Sequence, residues 1–107
     1  MSLPVVVQPS AEADLRDAAV WWAEHRSLEQ AERWYLGFLN ALDSLREKPD
    51  RCPLARENPK FPYEIRELCY GLGSRPTHRA VFTIRPDAVV VVAIRHAAQR
   101  DVIPEDL

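Results

Sequence analysis

No apolar run in this chain approaches the length of a membrane span. The opening MSLPVVVQPS has neither the basic start nor the long apolar stretch of a secretory signal, so the expected setting is the cytoplasm, with no membrane partner. Cysteine is scarce: Cys52 and Cys69 stand seventeen positions apart, with no CxxC or HxxH pairing. Such spacing lacks the clustered ligands a zinc ion needs, so neither a metal nor a cofactor is expected. A disulfide between the two stays open as an alternative, although a reducing compartment favours free thiols. There is no internal repeat and no low-complexity tract. At 107 residues the whole chain, 1–107, is expected to form one domain around one core.

What is present is an ordinary globular balance, 47% hydrophobic and 28% charged, with the charge unevenly placed. Residues 1–45 hold three Arg or Lys against seven Asp or Glu, whereas residues 46–100 hold eleven against six. The last seven residues add three acids and no base, which leaves the net charge at −2. A basic second half suits an anionic or acidic partner, while the overall acidity argues against indiscriminate nucleic-acid binding.

Along the chain, VVVQ between Pro4 and Pro9 reads as a short first strand. Ser10 is placed to cap a first helix, with Glu12 and Asp14 in its first turn and Ala11, Leu15, Ala18 and Trp22 at helical spacing. Ser27 and Gln30 form a capping box for a second helix. Its apolar stripe runs from Ala31 through Trp34, Tyr35, Phe38 and Leu42 to Leu45, and Pro49 stops it. Trp21, Trp22 and Trp34 are expected to pack the core and the helical hairpin; an exposed member would suggest a docking groove. Four prolines mark 49–62 as a loop. Three strand-like segments follow, 63–70, 78–85 and 89–96, the last two joined by a turn at Pro86–Asp87–Ala88. The order β-α-α-β-β-β predicts an α+β two-layer domain, a helical hairpin covering one face of a mostly antiparallel four-stranded sheet and leaving the other face free for binding.

Register decides what that free face displays. If Arg85 pairs with Ala88, Arg79 lies opposite Ile94 and shares a face with His96; one residue of slip puts Arg79 opposite Arg95 and turns His96 away. The first register is expected, because it places Ala80, Phe82 and Ile84 against the helices. It also places Val90 and Val92 beside His96.

The series SAEADLRDAAVWW, AERWYLGFLNALDSL, LREKPDRCP, EIRELCYG, HRAVFTI and VVAIRHAAQRD, in this order along nearly the whole chain, resembles the RelE/ParE superfamily of bacterial type II toxin–antitoxin toxins, also described as plasmid stabilisation proteins. The resemblance implies a helical hairpin on a small curved sheet with the first strand beside the last. It also implies a cognate antitoxin whose C-terminal segment wraps over the toxin, operator DNA being bound only through that antitoxin.

Two modes of action divide the superfamily. The RelE-like branch is a metal-independent, ribosome-dependent mRNA endoribonuclease that drives a ribose 2′-hydroxyl onto the adjacent phosphate. That chemistry needs a proton acceptor, a proton donor and fixed positive charge on the phosphorane. On this reading Arg66 and Arg79 match phosphate-binding arginines and His96 matches an acid or base, with Glu57 and Glu64 as candidate carboxylate bases. Arg56, Lys60, Arg95 and Arg100 would add target or phosphate contacts. Two features depart from it: the chain is slightly acidic, and no tyrosine follows Tyr70. The ParE-like branch is similar in fold and inhibits DNA gyrase by protein contact. SAEADLRD and IRHAAQRD resemble that branch more closely, so a ParE-like toxin is expected, with the ribonuclease and an inactive or repurposed binding module as alternatives. His25 and His78 are expected to be surface or strand residues.

Overall fold

The computed structural model describes residues 2–107. Its elements run β1 (Val5–Val7), α1 (Pro9–His25), α2 (Leu28–Asp43), β2 (Arg66–Tyr70), β3 (His78–Ile84) and β4 (Val89–His96). Short 3-10 turns cover Ser44–Arg46, Pro49–Arg51, Asn58–Lys60 and Pro104–Asp106. The sheet order is β1-β4-β3-β2. β1 runs parallel to β4, while β2–β3 and β3–β4 are antiparallel. This is the α+β layout expected from the sequence, with the first strand beside the last.

Helix boundaries follow local chemistry. α1 begins two residues earlier than expected: Pro9 occupies its first turn, where a missing N–H costs nothing, and the residue at the cap is Gln8 rather than Ser10. Ser27 does cap α2, its hydroxyl accepting the Gln30 N–H at 3.0 Å. The second helix contributes the large aromatic side chains of the main core, with Trp34, Phe38 and Leu42 buried against Ala80, Phe82, Val89, Val91 and Ile94 of the sheet. Gly37 sits mid-helix for a packing reason. A Cβ there would overlap the hydroxyl of Tyr70, whose ring stacks on Phe38 at 4.7 Å and ties β2 to α2.

The turn register is the expected one, and Arg85 N–H donates to Ala88 O at 2.8 Å. The pairs Ile84↔Val89, Thr83↔Val90 and Phe82↔Val91 follow in step. A bulge then skips Val92, and the pairs become Val81↔Ala93, Ala80↔Ile94, Arg79↔Arg95 and His78↔His96. Both registers weighed above therefore occur, one in each half of the hairpin. The bulge corrects the expectation for the functional half: Arg79 faces Arg95, and His96 lies on the opposite side of the sheet, toward the helices.

The second face is covered as well, contrary to expectation. Val81, Val92 and Ala93 all point to it, and burying them takes a second cluster with Ala55, Phe61 and Ile65 from the proline-rich loop and Val102 from the C-terminal segment. The loop is aperiodic but not loose. It adds an isolated bridge Leu54↔Arg66 to the edge of β2 and threads hydrogen bonds Ala55 N–H to Ile65 O (3.0 Å) and Glu67 N–H to Pro53 O (3.1 Å). Cys52 is buried and Cys69 exposed, both as free thiols.

Candidate functional site

Arg79 lies under the loop, 3% exposed, in the centre of the covered face. Its guanidinium grips Glu57, itself 0% exposed, through Nη1–Oε1 at 2.8 Å and a shorter Nη2–Oε2 contact. Nη1 also reaches Glu67 at 3.4 Å. Glu57 Oε2 accepts a further hydrogen bond from Val102 N–H at 2.8 Å, so one carboxylate joins loop, sheet and tail. Burial alone would raise the Glu57 carboxyl; the Arg79 hydrogen bonds and the Val102 N–H outweigh it and hold the group below its ordinary value. The glutamate keeps the guanidinium charged in turn.

Arg66 is elsewhere. It pairs across the strands with Phe82, which puts it on the helix side of the sheet, whereas Arg79 pairs with Cys69 on the other. Its guanidinium meets the carbonyls of Cys52 (2.6 Å) and Asp50 (3.3 Å) and the Glu64 carboxylate (3.0 Å). It closes the loop after α2. The expected gathering of Arg66 and Arg79 on one exposed face is thus corrected, because β2 and β3 are in register with opposite parity for these two residues.

The four further cations are mostly committed to the C-terminal segment. Arg56 pairs with Asp101 (2.6 Å) and donates to Gln99 O (2.9 Å). Arg95 lies between Asp14 (3.5 Å) and Asp106 (3.4 Å), and Arg100 meets both carboxylate oxygens of Asp106 at 3.0 Å. Those bonds hold the Asp106 carboxyl down at about 2. Lys60 is exposed and makes no ion pair among the described residues.

His96 stands at the mouth of a cleft of about 560 Å³ between α1 and the far end of β4, lined among others by Asp14, Asp17, Trp21, Trp22 and His78. Its Nδ1 accepts the Ala98 N–H at 3.1 Å, which leaves Nε2 as the donor of the neutral ring. His78 lies deeper, 8% exposed, edge-on to Trp34 at 4.9 Å and to His96 at 5.2 Å between ring centroids. Its Nδ1 meets Thr77 Oγ1 at 2.9 Å, and among the described residues no hydrogen bond reaches Nε2. Burial first, then neighbouring His96, pushes His78 down to about 4, so it is neutral at physiological pH. His78 is the strand residue expected from the sequence, but a buried one, and its place beside His96 carries no local signal. Only the bulge aligns it with His96, and a run of four valines does not disclose where the extra residue falls. Trp34 is fully buried and Trp22 half-buried, but Trp21 is 45% exposed, with His25 stacked on it at 4.6 Å.

Arg66, Arg79 and His96 are therefore three separate sites. Arg79 is on the face away from His96, and the β2–β3 register sets Arg66 four residues along β3 from the position of His96, roughly 13 Å at the usual strand rise. Among the described residues no group of three or more His, Cys, Asp or Glu is placed to hold a metal ion, and no helix is long and apolar enough to cross a membrane.

No curated protein matches the sequence. A solved structure described as the chromosomal ParDE TA system from P. aeruginosa is similar in fold, with a TM-score of 0.70 at 16% identity over 89% of this chain and 96% of that one. The family model for the ParE toxin of type II toxin–antitoxin system, parDE, matches residues 5–101. The match spans both helices, all four strands and the histidine at the cleft, and the chain belongs to the ParE toxin family.

Proposed function

We propose that this ParE-family toxin arrests growth by binding a protein target, DNA gyrase, in the cytoplasm, and that a cognate antitoxin neutralises it. One observation favours this mode over RNA cleavage: the arginine best placed by sequence to bind phosphate is consumed by carboxylates. Two acidic groups, Glu57 and Glu67, meet Arg79 beneath the loop. A scissile phosphate would have to displace a buried, bidentate partner and approach a site of net negative charge. The RelE-like alternative also needs its base, acid and cation around one phosphate, whereas Arg66, Arg79 and His96 are dispersed. An inhibitor needs no such convergence, only an exposed surface of fixed shape.

Induction of the isolated toxin in bacteria tests the reading. Gyrase inhibition gives covalent gyrase–DNA complexes and an SOS response, with translation intact at early times. Codon-positioned mRNA breaks with early loss of translation would replace it with the ribonuclease. A folded toxin that does neither and leaves growth unaffected would make the chain the inactive or repurposed module.

A further inference from the structure

The sheet is bordered by β2 on one side and by β1 on the other. The proline-rich loop closes part of the β2 border through the Leu54↔Arg66 bridge and the bond from Glu67 N–H to Pro53 O. Among the described residues nothing comparable runs along Val5–Val7. Even-numbered residues of this stretch face β4: Val89 N–H donates to Pro4 O at 2.9 Å, and Gln8 N–H donates to Val91 O at 3.0 Å. Odd-numbered ones therefore face outward, because the N–H and C=O of a strand residue point to the same side. Leu3 N–H is taken by Arg46 O at 3.1 Å. The N–H and C=O groups of Val5 and Val7 have no partner among the described residues.

Side chains on this strand divide between the two faces. Val5 and Val7 pack on the main core beneath the helices, which points Val6 to the second face beside Val90. The cluster that covers that face over β3 and β4 does not reach Val6, which is 48% exposed. No charged residue lies between Leu3 and Pro9. Edges are commonly guarded by a lysine or an inward-pointing charge; here the guards are shortness and two flanking prolines, which leave the middle bare. The free groups are also their own complement. In an antiparallel pair, opposed residues exchange both bonds at every second position. A two-fold axis at Val6 sets Val5 opposite Val7 of a second copy, and Val7 opposite Val5 of that copy, so every free group on both edges is paired.

We propose that this chain pairs with a second copy of itself through β1, antiparallel and two-fold about Val6, joining two sheets into one. The axis stands perpendicular to the sheet, so both helical layers lie on the same side. Val6 meets its equivalent in the close, non-hydrogen-bonded position, Cα atoms about 4.5 Å apart, and covers apolar surface that the loop leaves bare. Val90 of each copy extends that patch. Geometry at the ends favours a second copy over a foreign strand. In this register Pro9 of the second copy falls opposite Leu3, so its chain turns into α1 just where Arg46 already holds the Leu3 N–H. A longer extended segment would run into Arg46. With three residues a side, the contact is smaller than that of an obligate dimer, and the pairing is concentration-dependent.

Sedimentation and amide hydrogen exchange of the folded toxin, at concentrations up to about 1 mM, test the pairing. The average mass is expected to rise from one chain toward two. Over the same range the amides of Val5 and Val7 are expected to slow about tenfold, as nine-tenths pairing requires, while Val6, which already faces β4, changes far less. Val6→Lys sets two ammonium groups against each other at the axis, from a position exposed enough to carry them, and is expected to fold and stay a single chain. The amide pattern needs no variant, so it decides the matter even if Val6→Lys fails to fold. A mass of one chain at every concentration overturns the proposal. So does a dimer in which Val5 and Val7 exchange at the dilute rate, or one that folded Val6→Lys preserves, because its contact then lies elsewhere.

Discussion

Replacing Glu57 by Leu leaves Arg79 buried with only Glu67, at 3.4 Å, and strips Val102 N–H of its acceptor. Replacing Arg79 by Met leaves Glu57 fully buried, facing that one N–H. Removing one partner of a buried ion pair costs about 3–5 kcal/mol, because the survivor keeps its desolvation penalty without its counter-charge. For a domain of 107 residues that lowers the Tm by roughly 13–22 °C. The double variant Glu57→Leu/Arg79→Met removes both charges and fills their volume with apolar groups. Such exchanges are often neutral, so it should recover more than half of either single loss, the orphaned Val102 N–H keeping about 1–3 kcal/mol from returning. Thermal and denaturant unfolding of the four proteins form the cycle. A double variant as unstable as its parents refutes the reasoning, since Arg79 would then be held by something other than Glu57. The same protein reports on function. If Arg79 binds a scissile phosphate, the refolded double variant is harmless; if the toxin acts by protein contact, it still arrests growth. Acid adds a check on sign. Glu57 is held below its ordinary value of 4.5, so its stabilisation is complete above that pH and is lost as pH falls through the lower folded value. The double variant should lack this acid-sensitive component.

His78, near 4 in the fold against 6.5 when free, makes the unfolded chain the better proton binder between those values. Its contribution is therefore complete above about pH 6.5 and is lost toward pH 4, on the order of 3 kcal/mol; denaturant midpoints across this range should fall for the wild type and flatten for His78→Phe. An NMR titration of His78 centred near 6.5 would count against the packing described. Gly37→Ala should destabilise by about 1–3 kcal/mol despite better helix propensity, and Tyr70→Phe in the same chain should relieve part of the loss by removing the overlapping hydroxyl; a gain of stability in the single variant would contradict the contact. Asp14→Ala should cost about 1–2 kcal/mol and accelerate amide exchange at Ile94 more than elsewhere in β4, because that N–H loses a charged acceptor.

The sequence made some of this legible and hid the rest for identifiable reasons. Local chemistry marked Ser27, the Pro86–Asp87 turn and the bounds of β4, all decided by residues within a turn or two of one another. The pairing of Arg79 with Glu57 joins positions 22 apart through an aperiodic loop, where neither helical nor strand spacing speaks. Cover for the second face had no periodic signal either: Ala55, Phe61, Ile65 and Val102 are apolar residues scattered among prolines and charges. The bulge was hardest. Val91 faces the helices and Val92 and Ala93 both face away, but identical side chains at 91 and 92 erase the alternation that would reveal it. Because the site residues lie beyond that point, a single ambiguous position misassigned their faces.

That supernumerary valine makes β4 two short ribbons fused out of phase. Deleting Val92 would close the ladder with Arg95 still opposite Arg79 and His96 still opposite His78, whereas taking Val92 into the ladder opposite Val81 would rotate Arg95 toward the tryptophans and His96 toward the proline-rich loop. Lineages that shed this one amino acid would thus keep the chemistry of both surfaces and lose only the local kink, the segment near the turn staying as it was.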